Sequence, residues 1–144
     1  MTAELPPRLA RMSRVPLRLL TWGLPMPPLV LLVTRGRRSG RQRVAPVALL
    51  RHDGREWLVA PFGETAWVLN ARADAEATLR RGRRTRAVRL VEVDDVRKPE
   101  ILLAYRRRFR LIPFVREAFG AHPREGVAAF GREGARHPVF RIEP

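Results

Sequence analysis

The chain has 144 residues, of which 45% are hydrophobic and 30% charged. That is the size of one domain with enough apolar side chains for a core, and it excludes both a pair of large domains and a wholly disordered chain. Lysine and arginine number 29 against 14 acidic residues, a net charge of +15, so the surface attracts anions, and the absence of cysteine excludes a disulfide framework, a zinc ribbon and a thiolate nucleophile.

Lys98 is the one lysine. The weight of arginine beside so much alanine, proline and glycine bears the mark of a GC-rich coding sequence, so the position of the charges says more than their total. Residues 5–20 place Leu9, Met12, Leu17 and Leu20 at helical intervals with Arg8, Arg11, Arg14 and Arg18 between them. This spacing predicts a basic amphipathic helix, weakened by Pro16, suited either to pack on a sheet or to lie on a membrane surface. A proline-rich connector follows, so residues 1–28 form an N-terminal segment ahead of a main domain over 29–144. Arg18 and the prolines at 16, 25, 27 and 28 interrupt the apolar stretch short of the roughly 20 residues a spanning helix needs. No signal-peptide pattern is present, and a cytoplasmic protein is expected, with the N-terminal helix as its route to any peripheral membrane contact.

From Leu29 the pattern becomes that of strands. LVLLVT, VAPVALLRH and REWLVAPF are apolar runs separated by GRRSGR and by the turn at His52, Asp53 and Gly54, which predicts a three-stranded antiparallel meander buried on both faces, as in a small barrel. Thr65 can cap a helix running through Trp67, Val68 and Asn70 to Arg72. EATLRR and RTRAVRLVEV read as a hairpin around Arg81 and Gly82. Residues 94–108 read as a helix with Asp94 and Asp95 at its start and Arg106 to Arg108 at its end, the order the helix dipole favours. Two shorter helices near 113–119 and 124–132 and a last strand, HPVFRI, complete the domain.

The densest chemical signal is TRGRRSGRQR at 34–43. Arg35, Arg37, Arg38, Arg41 and Arg43 repel one another unless an anion lies between them, and glycine-flanked amides with the Ser39 hydroxyl suit phosphate oxygens. The segment is no Walker A loop, and the same composition also describes a solvated hairpin. His52, His122 and His137 have no metal-ligand spacing, so no metal site is expected. No G-x-S-x-G elbow surrounds Ser13 or Ser39, and no paired carboxylates stand out. Any redox chemistry therefore falls to a cofactor. Trp67 and Asn70 present a ring and an amide on one helix face, toward Ala60, Pro61, Phe62 and Gly63, or else Trp67 is core. Phe109, Phe114 and Phe119 either wall an apolar substrate pocket or pack the late helices.

Taken in order, LLVTRGRRSGRQRVAPVALL, LVAPFG, WVLNARAD and HPVFRIEP resemble the motifs of the deazaflavin (coenzyme F-420)-dependent nitroreductases, also called F-420-dependent quinone reductases. The resemblance covers most of the chain from Leu29 to Pro144. It implies a mainly β, α+β fold: a split β-barrel of the flavin-binding reductase type, with about six antiparallel strands, an N-terminal helix and peripheral helices. It also implies an oxidoreductase that passes hydride from reduced coenzyme F-420 to a quinone-like, nitro or other electron-poor small-molecule acceptor. By position, Arg38 stands where the family places a cation for the acidic tail, in a turn completed by Arg37, Ser39 and Arg41. Arg43 and Pro46 match the strand bordering phosphate and ring. Ala60, Pro61, Phe62 and Gly63 match the loop over them, and Trp67 and Asn70 the adjoining helix. Two departures concern the acceptor: the loop after Gly63 is short and lacks a Ser-Lys-Gly stretch, and phenylalanines replace a tyrosine-rich lid. The rival readings are a flavin mononucleotide or haem binder of the same fold and a basic nucleic-acid module. The last is disfavoured because residues 34–43 contain no aromatic stacking platform, and no nucleic-acid partner is expected. Sheet edges left open in a split barrel invite a homodimer.

Overall fold

The computed structural model describes residues 29–120 and 122–144; the helix expected within 1–28 lies outside them. Six antiparallel strands close into a barrel in the order β1-β2-β3-β6-β5-β4. They are β1 (Leu29–Arg35), β2 (Gln42–His52), β3 (Arg55–Val59), β4 (Glu76–Arg81), β5 (Arg84–Glu92) and β6 (Val139–Glu143). Helix α1 (Ala66–Ala73) links β3 to β4, while α2 (Lys98–Arg108), α3 (Pro113–Ala118) and α4 (Val127–Glu133) lie between β5 and β6. Among the described residues, no helix is long and apolar enough to cross a membrane.

The period-2 alternation of strand side chains sorts the core into two layers. Val30, Leu32, Val47, Leu58, Leu79, Val88, Leu90 and Phe140, drawn from all six strands, fill the barrel and are joined by Val68 and Ala71 of α1. The opposite faces of β2, β3 and β6 carry Leu50, Trp57, Val59 and Val139, which pack beneath the later helices against Ile101, Leu102, Tyr105 and Phe130. The expected burial on both faces thus holds for the middle of β1, the second half of β2 and β3. On β4 and β5, buried apolar residues alternate with more exposed ones, many of them arginines.

Strand β2 changes neighbours midway. Gln42–Ala48 pairs with β1 and Leu49–His52 with β3, so the first half of β2 has no ladder partner on the β3 side. Gln42, Arg43 and Val44 are exposed there. This is where the barrel splits.

Three expected boundaries move, each for a local reason. The helix expected from residue 94 begins at Lys98, because Pro99 fits only in a first turn, where no amide hydrogen is needed. Asp94 instead accepts a hydrogen bond from the Arg97 amide in the turn before it (3.3 Å). The helix expected over 124–132 splits into a 3-10 turn at Pro123–Glu125 and α4, divided by Gly126 at φ +81°. The third strand stops at Val59, and Thr65 occupies the N-cap position of α1 without a side-chain cap bond.

On the barrel exterior, Glu56 receives two hydrogen bonds from Arg86 (2.7 and 3.0 Å). Those bonds, with the charges of Arg86, Arg51 and Arg81, outweigh burial and hold the Glu56 carboxyl below the usual carboxylate range. A lowered acid pKa stabilises the fold above the unfolded-state value and ceases to do so as pH falls through the folded one. Since Arg86 is half exposed, the contribution is about 0–1 kcal/mol. Glu56→Gln should therefore lower the melting temperature slightly at neutral pH, and the difference should vanish in acid; thermal melts across that range check it.

Candidate functional site

A cleft of about 550 Å³ opens at the split, between the 36–41 turn, the uncovered half of β2 and α1, a size suited to a small-molecule or cofactor site. Its turn is internally braced. The Gly36 amide donates to the Arg41 carbonyl (2.7 Å) and the Gly40 amide to the Gly36 carbonyl (2.8 Å), while the Arg41 amide donates to Ser39 Oγ (3.2 Å). A Cβ on Gly36 would come within 2.9 Å of Ser39 Oγ and 3.1 Å of the Arg41 carbonyl, so a side chain there would force the turn apart. Gly40 sits at φ +71°, in the region that favours glycine.

The turn is latched to α1 through one amide group. Asn70 is 2% exposed, and its Oδ1 accepts from both the Arg37 backbone amide (3.2 Å) and Arg37 Nη1 (3.0 Å). Its Nδ2 donates to Thr34 Oγ1 (3.3 Å) at the end of β1. Strand, turn and helix thereby share one buried polar network, and Arg37 is committed to it. Arg38 and Arg43 also line the cleft, and among the described residues neither has a carboxylate partner. Val44, Ala45 and Trp67 supply the apolar wall. Trp67 is half-buried, its ring tilted against Phe140 at 5.5 Å between centroids, which joins the alternatives for this residue: one side is packed and the other faces the cleft.

Of the residues singled out in the sequence, the cleft brings together Arg37, Arg38, Ser39, Arg43, Trp67 and Asn70. Arg41 and Pro46 belong to the same turn and strand but do not line it, and neither do Ala60, which is buried in the barrel core, or Pro61, Phe62 and Gly63 in the turn before α1. Phe109 and Phe119 are core residues of the helical layer rather than walls of this cleft. Their rings are taken up by Tyr105 at 5.0 and 6.1 Å, and Phe119 also stacks on His137 at 4.3 Å. For Phe114 the side chain is outside the described set. Thr34, Gln42, Val44 and Ala45 line the cleft without having been singled out. Their signal is weak, since a half-strand that loses its neighbour looks in sequence like any other strand.

The histidines are engaged elsewhere: His52 with Glu100 (2.9 Å), His122 with the Arg124 amide (3.1 Å), and buried His137 with Glu133 (2.9 Å). What the cleft offers is two unpaired guanidiniums, backbone held close by a glycine that admits no side chain, and an apolar slot beside them. This donor set fits a phosphate-bearing, polycarboxylate cofactor with a flat ring.

A closed six-stranded barrel with such a cleft where β2 changes neighbours defines the class of the molecule as a split β-barrel. Solved structures share this fold. An F420-H2 dependent reductase (FDR-A) is 18% identical with a TM-score of 0.57, over 81% of this chain and 95% of its own. A protein described as a domain-swapped dimer is 17% identical with a TM-score of 0.58, over 96% of this chain and 100% of its own. HutZ, a haem storage protein of Vibrio cholerae, is 11% identical with a TM-score of 0.55, over 100% of this chain and 91% of its own. The model of the F420H(2)-dependent quinone reductase family matches residues 16–110, well over half of the chain and the whole of the cleft. The chain belongs to that family and is an oxidoreductase. A comparison with curated proteins found no significant match.

Proposed function

We propose that this protein reduces a quinone-like, nitro or other electron-poor organic acceptor with reduced coenzyme F-420 held in the cleft. The observation that carries this reading is the pair Arg38 and Arg43, without carboxylate partners among the described residues, beside an apolar wall where β2 lacks β3 as a neighbour. Arg43, on the strand, would hold the phosphate, and Arg38 and Arg41 would meet the acidic tail. Val44, Ala45 and Trp67, which line the cleft, would border the ring. When bound, the coenzyme supplies the hydride. The chain's own residues fix its orientation and exclude water on the Trp67 side, the kind of positioning that accounts for much of catalysis without a protein acid. With all three histidines held outside the cleft, the proton for the product would come from water. A homodimer and a cytoplasmic location belong to the same reading, the first supported by the shared fold of the domain-swapped dimer.

Titrating the purified protein with reduced deazaflavin, flavin mononucleotide and duplex DNA at one salt concentration tests it. Deazaflavin should bind most tightly and support turnover of a quinone. Tight flavin mononucleotide binding that deazaflavin does not compete with would favour the flavin reading of the same fold, and preferential DNA binding would favour the nucleic-acid module.

A further inference from the structure

At the corner where α2 turns into α3, Leu111 is 81% exposed. A short turn holds it there: the Phe109 amide donates to the Tyr105 carbonyl and the Ile112 amide to the Phe109 carbonyl (both 3.0 Å), with Phe109 itself buried. Close to it in the chain, Arg107, Arg108, Arg110 and Arg116 are exposed. Between Ile101 and Gly120 the only acidic residue is Glu117, against five arginines. Arg108 lies over the Phe109 ring at 5.3 Å, while Arg107 and Arg110 have no carboxylate partner among the described residues. Arg106 is buried with Nε unpartnered among the described residues, and burial together with the charge of Arg116 lowers its pKa. Arginines thus outnumber carboxylates in this stretch five to one.

We propose that this corner docks the protein on the surface of a bilayer containing anionic lipids, with Arg107 and Arg110 at the headgroups and Leu111 inserted between them. Phosphates of a nucleic acid reward the arginines alone, whereas an exposed aliphatic side chain flanked in the chain by exposed arginines gains free energy where an apolar layer lies behind the anions. The contrast with Val96 is informative. It is 87% exposed but follows Asp94 and Asp95, which an anionic surface repels. The inference stands apart from the cofactor reading, since it uses none of the cleft residues.

Flotation of the full chain with phosphatidylcholine vesicles, and with vesicles that also contain phosphatidylglycerol, tests it, with heparin as a polyanion lacking an apolar layer. Wild type should float only with the anionic vesicles. Arg107→Ala with Arg110→Ala should lower the partition coefficient about 25-fold, at about fivefold per arginine. Leu111→Ser should lower it about threefold to tenfold without changing heparin affinity, and Val96→Ser should change neither. All these side chains are exposed, and unchanged thermal melts would show the variants folded. The proposal is overturned if wild type does not float with anionic vesicles, or if the corner variants float like wild type, which would assign the binding to other arginines such as those at 8, 11, 14 and 18. It is equally overturned if Leu111→Ser has no effect while the arginine pair does, which would mark a general polyanion site.

Discussion

Arg43→Ala is expected to weaken binding of reduced deazaflavin by roughly tenfold to a hundredfold for every tail length, while turnover at saturating cofactor stays nearly unchanged. Hydrogen bonds to a charged partner are worth about 1.5–3 kcal/mol, and each 1.4 kcal/mol is a factor of ten in affinity. Arg43 lies on β2 and lines the cleft, and among the described residues it has no carboxylate partner that would hold it away from a ligand. The interaction is made equally before and during hydride transfer, so its loss should raise KM and spare kcat. Arg38→Ala should behave differently. Both side chains are exposed in the free protein, but the proposed partner of Arg38 is a tail carboxylate that stays in solvent, a pair worth only about 0–1 kcal/mol. The removal of Arg38 should lower the preference for longer glutamate tails, an effect that shrinks as salt rises. Affinities for two tail lengths at low and high salt separate the two roles. Equal wild-type affinity for short and long tails at low salt would remove Arg38 from the tail site.

The second large effect is expected at Asn70. Alanine there leaves the Arg37 amide and the Thr34 hydroxyl without their partner in a buried setting, at a cost of about 1–3 kcal/mol, and it unlatches the turn from α1. Both thermal stability and cofactor affinity should fall. Asn70→Asp distinguishes latch from charge. One carboxylate oxygen can still accept from Arg37, and the Thr34 hydroxyl can turn its hydrogen toward the other, so the bonding pattern survives. A negative charge would nevertheless stand at the wall of an anion site. The aspartate variant should therefore keep more of the wild-type melting temperature than the alanine variant, yet bind the anionic cofactor at least as poorly. If it binds as well as wild type, the cleft does not hold an anion near Arg37.

Much of this molecule was legible from residue pattern. The apolar runs at 29–34, 44–52 and 55–62 became β1 to β3, the last shortened to Val59, and the segments at 76–81 and 84–93 became the hairpin of β4 and β5, because the period of burial is written directly into which side chains can leave water. Pro99 and Gly126 also carried their meaning locally: they decide where α2 and α4 begin, and a strict reading of both would have placed those starts correctly.

The site divides along the same line. The arginine turn, Trp67 and Asn70 announced themselves by composition and by resemblance to the family to which the chain belongs. That Asn70 is the latch for Arg37, that β3 pairs with β2 only from Leu49 onward and so leaves Gln42 to Val44 exposed, and that Phe109 and Phe119 serve the helical core were decided only in three dimensions. The physical reason is common to all three. Local sequence sets which backbone conformation and which side-chain polarity each position prefers. Partners separated by 33 or 36 residues, as Arg37 and Thr34 are from Asn70, meet only once the barrel has closed and fixed which face of each strand is covered.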